Sequence, residues 1–452
     1  MIKNYNQAID YLHTTIPSNK NKYPGNIGLL RQKEILHLLG DPQNKIKAIH
    51  IAGTSGKGST AFYIYSLLIS HGFKVGLTIS PHLIDIRERF QINNTLISKK
   101  EFINTLNQII PIINSIDLKK FGKPTFFEII NALAFSIFYQ KKVDYMVVET
   151  GLGGLIDGTN AITSSDQICV FTKLGLDHTS VLGKNISSIA FQKAGIIHPK
   201  NPVFSINQIK VAQSVFLKQA QTNQTSVNYI LPQKNFKNIK TNSDYLKYNF
   251  SFNDLKIRDL KIKSLALYQV ENSALALSVV SFLSKRDNFL LDESKIRRTF
   301  LSSSFPGRMD IIHFNNKQII LDGAHNPQKM MALVRSIKNS FPDKKFTFLI
   351  AFKQRKDFSK MLKMIIPIAN QIILTKFKVA SDYMIQLSQS QTSLVKIFKK
   401  LNFSDFKYIP DKSLALDAVL NISQPVIITG SLYLLSEIYP LLKKIKVISP
   451  TK

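Results

Sequence analysis

A glycine-rich turn between an apolar run and a helical pattern is the feature that most constrains the fold of this chain. The run Lys47–Ala52 leads directly into Gly53-Thr54-Ser55-Gly56-Lys57-Gly58-Ser59, and a helical pattern at residues 59–70 follows. A strand, a turn and a helix in this order are the context that a phosphate-binding loop requires. The glycines allow a sharp turn with inward N–H groups, Lys57 can neutralise phosphate oxygens, and the helix N-terminus adds partial positive charge.

The loop departs from the strict Walker spacing of Gly, four residues and then Gly-Lys-Ser/Thr. Gly58 follows the lysine, and Ile51 stands where the first glycine of the strict form would lie. The variant is Gly-Thr-x-Gly-Lys-Gly-Ser, in which the hydroxyl after the last glycine can reach a metal ion. Such a turn can also be a plain structural loop, but the flanking strand and helix favour phosphate binding. The predicted ATP-binding residues of the loop are Gly53, Thr54, Ser55, Gly56, Lys57, Gly58, Ser59 and Thr60.

Strand-like and helix-like segments alternate through the first half of the chain, which predicts a largely parallel sheet covered by helices. Strand-like runs lie at residues 74–79, 143–148 and 168–172, and a buried helix pattern covers residues 127–139. The polar stretch at residues 221–254 alternates only weakly. We predict that it forms an antiparallel or loop excursion from the main sheet.

A turn-rich segment, Ser302-Ser303-Ser304-Phe305-Pro306-Gly307, is predicted to link two domains because the alternation restarts after it. The length of 452 residues fits two or three domains. We therefore predict an α/β protein with a phosphate-loop domain on a mostly parallel sheet at residues 1–301. A linker at residues 302–308 and a smaller Rossmann-like α/β domain at residues 309–452 follow it.

The chain is strongly basic, with 60 Lys and Arg against 29 Asp and Glu residues and a formal net charge of +31. Nucleic-acid or membrane-surface binding is one interpretation of this charge. The scattered lysines, the abundance of Asn, Ile and Phe and the absence of Trp favour compositional drift, so we expect neither partner. No apolar run reaches the roughly 18 to 20 residues of a membrane span, and the N-terminus has no signal-like core. The single cysteine, Cys169, fits a reducing cytoplasm, where we expect a monomer.

Polar residues follow several of the predicted strands. Ser80, Glu149 and His178 each come at or just after the end of such a strand. Ligands bind at the carboxyl ends of strands in open α/β sheets, so these residues could converge on the phosphate loop. Each also has a structural alternative, since Glu149 and Ser80 can cap turns and His178 can be structural. Lys193, near the end of a helical segment at residues 187–193, can be a solvated lysine that favours the helix dipole.

Many ordered motifs along the chain resemble the folylpolyglutamate synthase/dihydrofolate synthase branch of the Mur ligase superfamily. Besides the loop, they are Leu29-Leu30-Arg31, Ser80-Pro81-His82-Leu83, Glu88-Arg89, Thr125-Phe126-Phe127-Glu128, Glu149-Thr150-Gly151-Leu152-Gly153-Gly154, Asp157-Gly158-Thr159-Asn160, Leu176-Asp177-His178-Thr179, Lys193-Ala194-Gly195-Ile196, Phe305-Pro306-Gly307-Arg308, Asp322-Gly323-Ala324-His325-Asn326-Pro327 and Thr429-Gly430-Ser431-Leu432-Tyr433-Leu434. The resemblance covers almost the whole chain. Such a number of matches in one order is very specific.

The resemblance implies a metal-dependent, ATP-using site. In the family, the residues that match Ser80, Glu149 and His178 bind the magnesium ions that bridge ATP and the acceptor, with His178 at a second ion. The lysine that matches Lys193 is carbamylated there, which would convert a cation into an anionic metal ligand. The expected catalytic residues are therefore Lys57, Glu149, His178 and Lys193, with two Mg²⁺ ions and with ATP as co-substrate.

Four residues outside the loop are expected, from the same resemblance, to contact the nucleotide. Asn272 matches an adenine contact and Arg308 a nucleotide-contacting arginine. Asp322 matches a residue near the ribose, and His325 matches one near the phosphates. ATP would then lie between two domains, and domain closure would complete the site.

The chain departs from the usual residues of the family at a few positions. Ser55 stands where Asn is frequent, and Leu155 stands where Arg is common. Ala266 and Tyr268 replace the Gly and His that usually precede the glutamine of the adenine motif. These departures bear on substrate preference more than on the ligase chemistry.

The early position of the loop leaves no room before it for the UDP-binding domain of peptidoglycan-building Mur ligases. The resemblance therefore implies a ligase that adds L-glutamate to a folate or a dihydropteroate carboxylate through an acyl phosphate. The residues that match dihydropteroate contacts are Thr125, Phe126, Phe127, Glu128, Ile156, Asp157 and Gly158. Two alternatives stay open, a Mur-type ligase with a non-folate acceptor and a nucleic-acid-binding phosphate-loop protein. Whether the first glutamate, later ones or both are added also stays open.

Overall fold

The computed structural model of the chain describes residues 1–17, 25–315, 317–354, 356–380 and 385–445. The strands of the first sheet are β1 (Lys47–Ala52), β2 (Val75–Thr78), β3 (Gln91–Ile92), β4 (Thr95–Leu96), β5 (Tyr145–Glu149), β6 (Ile168–Phe171), β7 (Val203–Ile206) and β8 (Val227–Ile230). Within the described ranges they form one sheet in the order β4-β3-β2-β5-β1-β6-β7-β8. The pairs from β2 to β8 are parallel, whereas β3 and β4 make an antiparallel edge. The mostly parallel sheet predicted for the first part of the chain is confirmed.

Helices cover both faces of this sheet. They are α1 (Tyr5–Thr14), α2 (Asn26–Leu38), α3 (Lys57–Ser70), α4 (Lys99–Ser115), α5 (Leu118–Phe121), α6 (Phe126–Gln140), α7 (Thr179–Leu182), α8 (Ile186–Ala194), α9 (Lys210–Thr222), α10 (Tyr268–Arg286) and α11 (Glu293–Ser302). Successive residues of β5 point to opposite faces, so Met146 packs with α6 in one core and Val147 with α3 in another. Parallel strands buried on both sides explain the unbroken apolar runs in the sequence.

The helix after the glycine-rich turn is buried along most of its length. Helix α3 begins at Lys57, two residues before the predicted start, and Ile64 and Leu68 are fully buried. It packs against α10, whose Val279 and Leu283 belong to the same core. Burial from several sides fixes the position of α3 and therefore the position of its N-terminus.

The polar stretch after β8 forms a separate antiparallel sheet. Strands β9 (Phe236–Thr241), β10 (Leu246–Phe252) and β11 (Leu255–Ile262) pair in chain order. The buried residues of β10 alternate with half-buried ones, as expected for a sheet with one face on the core. The predicted excursion at residues 221–254 is confirmed from β9 onward, whereas its first residues end α9 and form β8.

A second set of alternating strands and helices, the second sheet region, follows residue 307, and the chain before it is the first sheet region. Its strands are β12 (Arg308–Phe314), β13 (Lys317–Asp322), β14 (Phe346–Ile350), β15 (Ala369–Leu374), β16 (Lys378–Ala380), β17 (Ile385–Leu387), β18 (Phe406–Tyr408) and β19 (Val426–Thr429). Within the described residues the main sheet has the order β12-β13-β19-β14-β15-β18 and is parallel except at β12. The helices are α12 (Pro327–Ser340), α13 (Phe358–Ile365), α14 (Gln391–Lys400), α15 (Lys412–Leu420) and α16 (Leu432–Lys444). The predicted fold class is confirmed.

The connection between the two sheet regions is short, and it packs against helix α3 of the first region. Ser302 ends α11 and Arg308 begins β12, so the irregular segment is residues 303–307, narrower than the predicted linker. The Phe305 ring stacks on Phe62 of α3 with 5.3 Å between ring centroids. The division into two domains around this segment stays a prediction. Among the described helices, none combines the length and the apolar character needed to cross a bilayer.

Candidate active site

A cavity of about 690 Å³ lies at the carboxyl ends of the central strands of the first sheet, where residues of the second sheet region also contribute its wall. This edge is where open α/β sheets bind ligands. The predicted site residues in its wall are Gly53, Thr54, Ser55, Gly56, Lys57, Gly58, Ser59, Ser80, Glu149, His178, Lys193, Asn272, Arg308, Asp322 and His325. The buried Thr60 is the loop residue that does not line it. The structure therefore gathers residues up to 272 positions apart in the sequence, from 53 to 325, around one space.

The glycine-rich loop is shaped by close contacts with its neighbours. Gly56 has a φ of +94°, and a Cβ there would lie 2.3 Å from the Asn272 side-chain oxygen, so only glycine fits. The N–H groups of Thr54 and Ser55 donate to the Lys173 carbonyl at 3.1 and 3.0 Å. These two N–H groups are therefore already paired within the protein. The N–H groups at the start of α3 have no carbonyl one turn earlier in the helix, so they supply the anion-binding end.

Lys57, Glu149 and Ser80 form the centre of the site. The Lys57 ammonium lies 3.4 Å from one carboxylate oxygen of Glu149, and the Ser80 N–H donates to the other at 3.1 Å. Glu149 is 8% exposed at the end of β5, so its side chain is largely shielded from bulk solvent. These contacts bring together three residues that the sequence placed after three different strands.

The residues present fit a magnesium ion better than a tighter metal cage. In the described part of the chain, no cluster of three or more His, Cys, Asp or Glu residues could hold a metal. Mg²⁺ uses one or two protein oxygens and completes its shell with water and phosphate. The Glu149 carboxylate and the Ser80 hydroxyl group are donors of that kind. His178 lines the same cavity and is exposed, with its backbone N–H donating to Asp177 at 2.9 Å.

Lys193 is buried beneath the loop. It is only 4% exposed, and its ammonium donates to the Gly53 carbonyl at 2.8 Å. Burial, with the nearby charge of Lys57, lowers the pKa of Lys193 from 10.5 to about 7. The alternative of a solvated lysine is therefore wrong, because the side chain is buried.

One nucleotide-contact candidate, Asp322, lies in a buried hydrogen-bond network. Asp322 ends β13 and accepts hydrogen bonds from the Tyr268 hydroxyl at 2.6 Å and from the Met309 N–H at 2.9 Å. The Tyr268 residue that departs from the family thus contacts a predicted ribose-binding residue. The Arg308 guanidinium lies 5.6 Å from the centroid of the Phe305 ring, and the Asn272 amide donates to Gln269 at 2.9 Å.

Several cavity residues were not predicted from the sequence. Asp177 accepts hydrogen bonds from Asn326 at 2.9 Å and from Lys356, and it lies 4.0 Å from the His325 ring nitrogen. Although burial opposes ionisation, Lys356 with the two flanking histidines holds the pKa of Asp177 well below its usual range. Burial lowers the pKa of Lys329 to about 7. The motif Leu176-Asp177-His178-Thr179 was a signal for Asp177 in the sequence.

The predicted acceptor-binding residues lie outside this cavity and carry structural contacts. Glu128 caps α6 and forms a buried ion pair with Arg31 at 2.7 Å. The Asp157 carboxylate accepts hydrogen bonds from the Leu152 N–H at 2.6 Å and from the Thr159 N–H at 3.0 Å. Both carboxylates therefore bind groups of the protein itself: Glu128 binds the Arg31 guanidinium, and Asp157 binds two backbone N–H groups. The other five, Thr125, Phe126, Phe127, Ile156 and Gly158, are also absent from the wall of the large cavity among the described residues.

A second pocket of about 260 Å³ lies beside the first. Phe126 lines it together with Tyr5, His82 and Asp85. Ser80 and Pro81 line the large cavity, and the residues that follow them line this one, so the segment after β2 borders both spaces. Phe127 lies at the start of α6 against the glycine-rich turn after β5, where a Cβ on Gly151 would lie 2.4 Å from its ring.

Comparison with known proteins places this site in a family. The model for the Mur ligase middle domain matches residues 51–280, and the model for the dihydrofolate synthetase C-terminal domain matches residues 308–441. The dihydrofolate synthase/folylpolyglutamate synthase of Bacillus subtilis is 29% identical over 98% of this chain and 100% of its own length. A probable dihydrofolate synthetase of Schizosaccharomyces pombe is 30% identical over 93% of this chain and 99% of its own length.

The fold leads to the same family. A solved FPGS complex with AMPPCP and folate has a TM-score of 0.80 at 28% identity and covers 97% of this chain and 100% of its own. The phosphate loop and Glu149 lie within the residues that match the Mur ligase middle domain. Strands β12 to β19 lie within those that match the dihydrofolate synthetase C-terminal domain. The chain therefore belongs to the folylpolyglutamate synthase/dihydrofolate synthase family of the Mur ligase superfamily.

Proposed function

We propose that this protein is an ATP-dependent ligase that joins L-glutamate to the carboxylate of a folate or a dihydropteroate. The observation that carries the proposal is the cluster of Lys57, Glu149 and Ser80 at the mouth of the phosphate loop, in a cavity large enough for a nucleotide. The names of the relatives, which include both synthase activities, support the choice of substrates.

The chemistry follows from the poor reactivity of a carboxylate toward an amine. A carboxylate oxygen of the acceptor attacks the γ-phosphorus of ATP, the bond to the bridging oxygen breaks, and ADP leaves with the electron pair. The glutamate amine then attacks the acyl carbon, the bond to the phosphate oxygen breaks, and phosphate leaves while the amine loses a proton. Lys57 and the N–H groups at the start of α3 stabilise the charge of the transferring phosphoryl group.

Magnesium fits this site as the second source of positive charge. We propose that the Ser80 hydroxyl group and the Glu149 carboxylate hold one ion and that His178 lies at a second. Mg²⁺ would neutralise phosphate oxygens as the phosphoryl group moves. The lowered pKa of Lys193 supports its conversion to a carbamate, because carbon dioxide reacts with the neutral amine. Its place under Gly53 puts the product beside the loop.

The nucleotide would lie between the two sheet regions. Arg308, Asp322 and His325 come from the second region and line the same cavity as the loop, and Asn272 packs on Gly56. We propose that these four contact ATP as the resemblance implies. Because Asp322 already accepts hydrogen bonds from Tyr268 and the backbone, its contact with a ribose would be one member of that network.

The acceptor ring would occupy the smaller pocket. Phe126 supplies an aromatic wall, and Asp85, which accepts a hydrogen bond from Tyr5 at 2.8 Å, supplies a carboxylate near donor groups of a pterin. The segment from Ser80 to His82 reaches from that pocket to the phosphate loop. A folate-like molecule could therefore place its ring there and its glutamate end at Glu149. We also propose a monomeric enzyme in the cytoplasm, a reducing compartment that the buried free thiol of Cys169 fits.

A coupled assay of ADP release with a panel of acids tests the proposal. Release should require glutamate and either dihydropteroate or tetrahydrofolate, and mass spectrometry should find products heavier by one or more glutamyl units. Activity with another acid and with neither pteroate nor folate would favour a different Mur-type ligase. Tight gel shifts with nucleic acid at physiological salt, without glutamate-dependent ATP hydrolysis, would support the nucleic-acid alternative.

A further inference from the structure

One side chain of the second sheet region forms a hydrogen bond directly with the phosphate loop. Gln328 lies in the first turn of α12, and its amide oxygen accepts a hydrogen bond from the Ser55 hydroxyl at 3.1 Å. Its amide nitrogen donates to the Leu174 carbonyl at 2.8 Å. A single carboxamide therefore joins two loops of the first sheet region to the start of a helix in the second.

The two loops that Gln328 contacts are themselves bonded together. The Thr54 hydroxyl donates to the Gly175 carbonyl and lies within hydrogen-bond distance of the Gly175 N–H, both at 3.1 Å. A Cβ on Gly175 would lie 2.2 Å from the Gln328 amide oxygen, so the amide packs directly on the backbone there. This contact leaves little freedom for the position of α12 relative to the phosphate loop.

A second set of hydrogen bonds, close to those of Gln328, also joins the two sheet regions. Asp177, three residues after Leu174, accepts hydrogen bonds from Asn326 at 2.9 Å and from Lys356. Asn326 is the N-cap residue of α12. The start of α12 is thus held to the first region at two points, one at Ser55 and Leu174 and one at Asp177.

We infer that Gln328 is a positioning residue that docks α12 on the phosphate loop and so brings Arg308, Asp322 and His325 over the nucleotide. The inference rests on the proposed function and adds a role to a residue outside the predicted site. Ser55 is short enough to leave room for the glutamine, which connects a departure from the family at position 55 to a contact 273 residues away.

The test is a double-variant cycle of Gln328→Met and Ser55→Ala, with Lys338→Ala as the matched control. Methionine keeps the length of the side chain and removes both hydrogen bonds, whereas Lys338 is exposed on the same helix. We expect each single variant to lower kcat/KM for ATP about 3- to 10-fold, as the loss of one or two hydrogen bonds implies. The double variant should be no worse than Gln328→Met, because the two residues share one bond. The control should match the wild type.

Affinity for AMPPCP, measured by calorimetry, separates this inference from the proposed function. The same pattern of losses should appear there without turnover, even if the wild type transfers no glutamate to any folate. Independent, additive losses in the two single variants, or unchanged affinity in both, would overturn the inference. If Gln328→Met lowers the melting temperature by more than the control does, the same cycle with Gln328→Leu in its place decides by the same criteria.

Discussion

Replacing the buried lysine under the phosphate loop should stabilise the protein while it inactivates the enzyme. The change is Lys193→Met, which keeps the length of the side chain. Burial lowers the pKa of Lys193 to about 7 from 10.5, so the folded state disfavours a proton that the unfolded state binds. At about pH 7 this disfavours the folded state by about 4 kcal/mol, since one pKa unit corresponds to about 1.4 kcal/mol.

The hydrogen bond of this lysine offsets part of that gain. Its ammonium donates to the Gly53 carbonyl, and methionine leaves that carbonyl without its donor, which costs about 1 to 2 kcal/mol. The net stabilisation is then about 2 to 3 kcal/mol, or about 2 to 5 °C in melting temperature for a unit of this size. Turnover should fall by about 10- to 100-fold or more, as for loss of a group that supports a metal site.

The stability difference between Lys193→Met and the wild type should depend on pH in a direction that the lowered pKa fixes. A lysine with a lowered folded-state pKa destabilises most below that pKa, and the penalty declines by about 1.4 kcal/mol per pH unit between about pH 7 and pH 10.5. The advantage of Lys193→Met should therefore shrink to about 0 to 1 kcal/mol at about pH 9. Thermal melts at the two pH values in carbon-dioxide-depleted buffer measure this, with the exposed Lys184→Met as the control. A variant that melts below the wild type at pH 7, or an advantage that grows with pH, would refute the reasoning.

Three further changes test separate contacts. Lys57→Met should lower kcat about 1,000-fold with an unchanged melting temperature, since it removes transition-state charge stabilisation, and near-normal turnover would contradict the role. Tyr268→Phe removes one donor to Asp322, so KM for ATP should rise about 3- to 10-fold in steady-state assays, and an unchanged KM would exclude the link. Arg31→Met should destabilise by about 3 to 5 kcal/mol in melts, because Glu128 stays buried, and Arg31→Met with Glu128→Met should recover part of the loss.

Much of the fold could be predicted from the sequence because its signals are local. The apolar run at Lys47–Ala52 became β1 with the predicted bounds, and the run at residues 168–172 became Ile168–Phe171. Element ends were less accurate. The helix after the loop starts at Lys57 because the turn passes directly into helical geometry after Gly56, which the pattern of apolar residues does not record.

The candidate site divides in the same way. Glu149 and Ser80 were candidates because each follows a strand and matches a metal-binding residue of the family, and the sheet order then brings them to one edge. Lys193 was open from the sequence because a lysine near a helix end is usually solvated, and its burial depends on how α8 packs under the loop. Gln328 and Asp177 could not be predicted as a link, since hydrogen bonds between the two sheet regions depend on how the regions dock.

The position of the basic residues explains how a chain of net charge +31 can favour one polyanion over others. Exposed lysines act through water and salt, so beyond about 8 to 10 Å their attraction is screened at physiological ionic strength. Lys57 and Lys329 instead lie half-buried in the cavity wall, Lys57 beside Glu149 and Lys329 beside His325. A triphosphate bound there would interact with these two amines in a protected environment where salt screens less. We therefore expect selectivity for a nucleotide to depend on these few cavity amines and the α3 N-terminus rather than on the total charge.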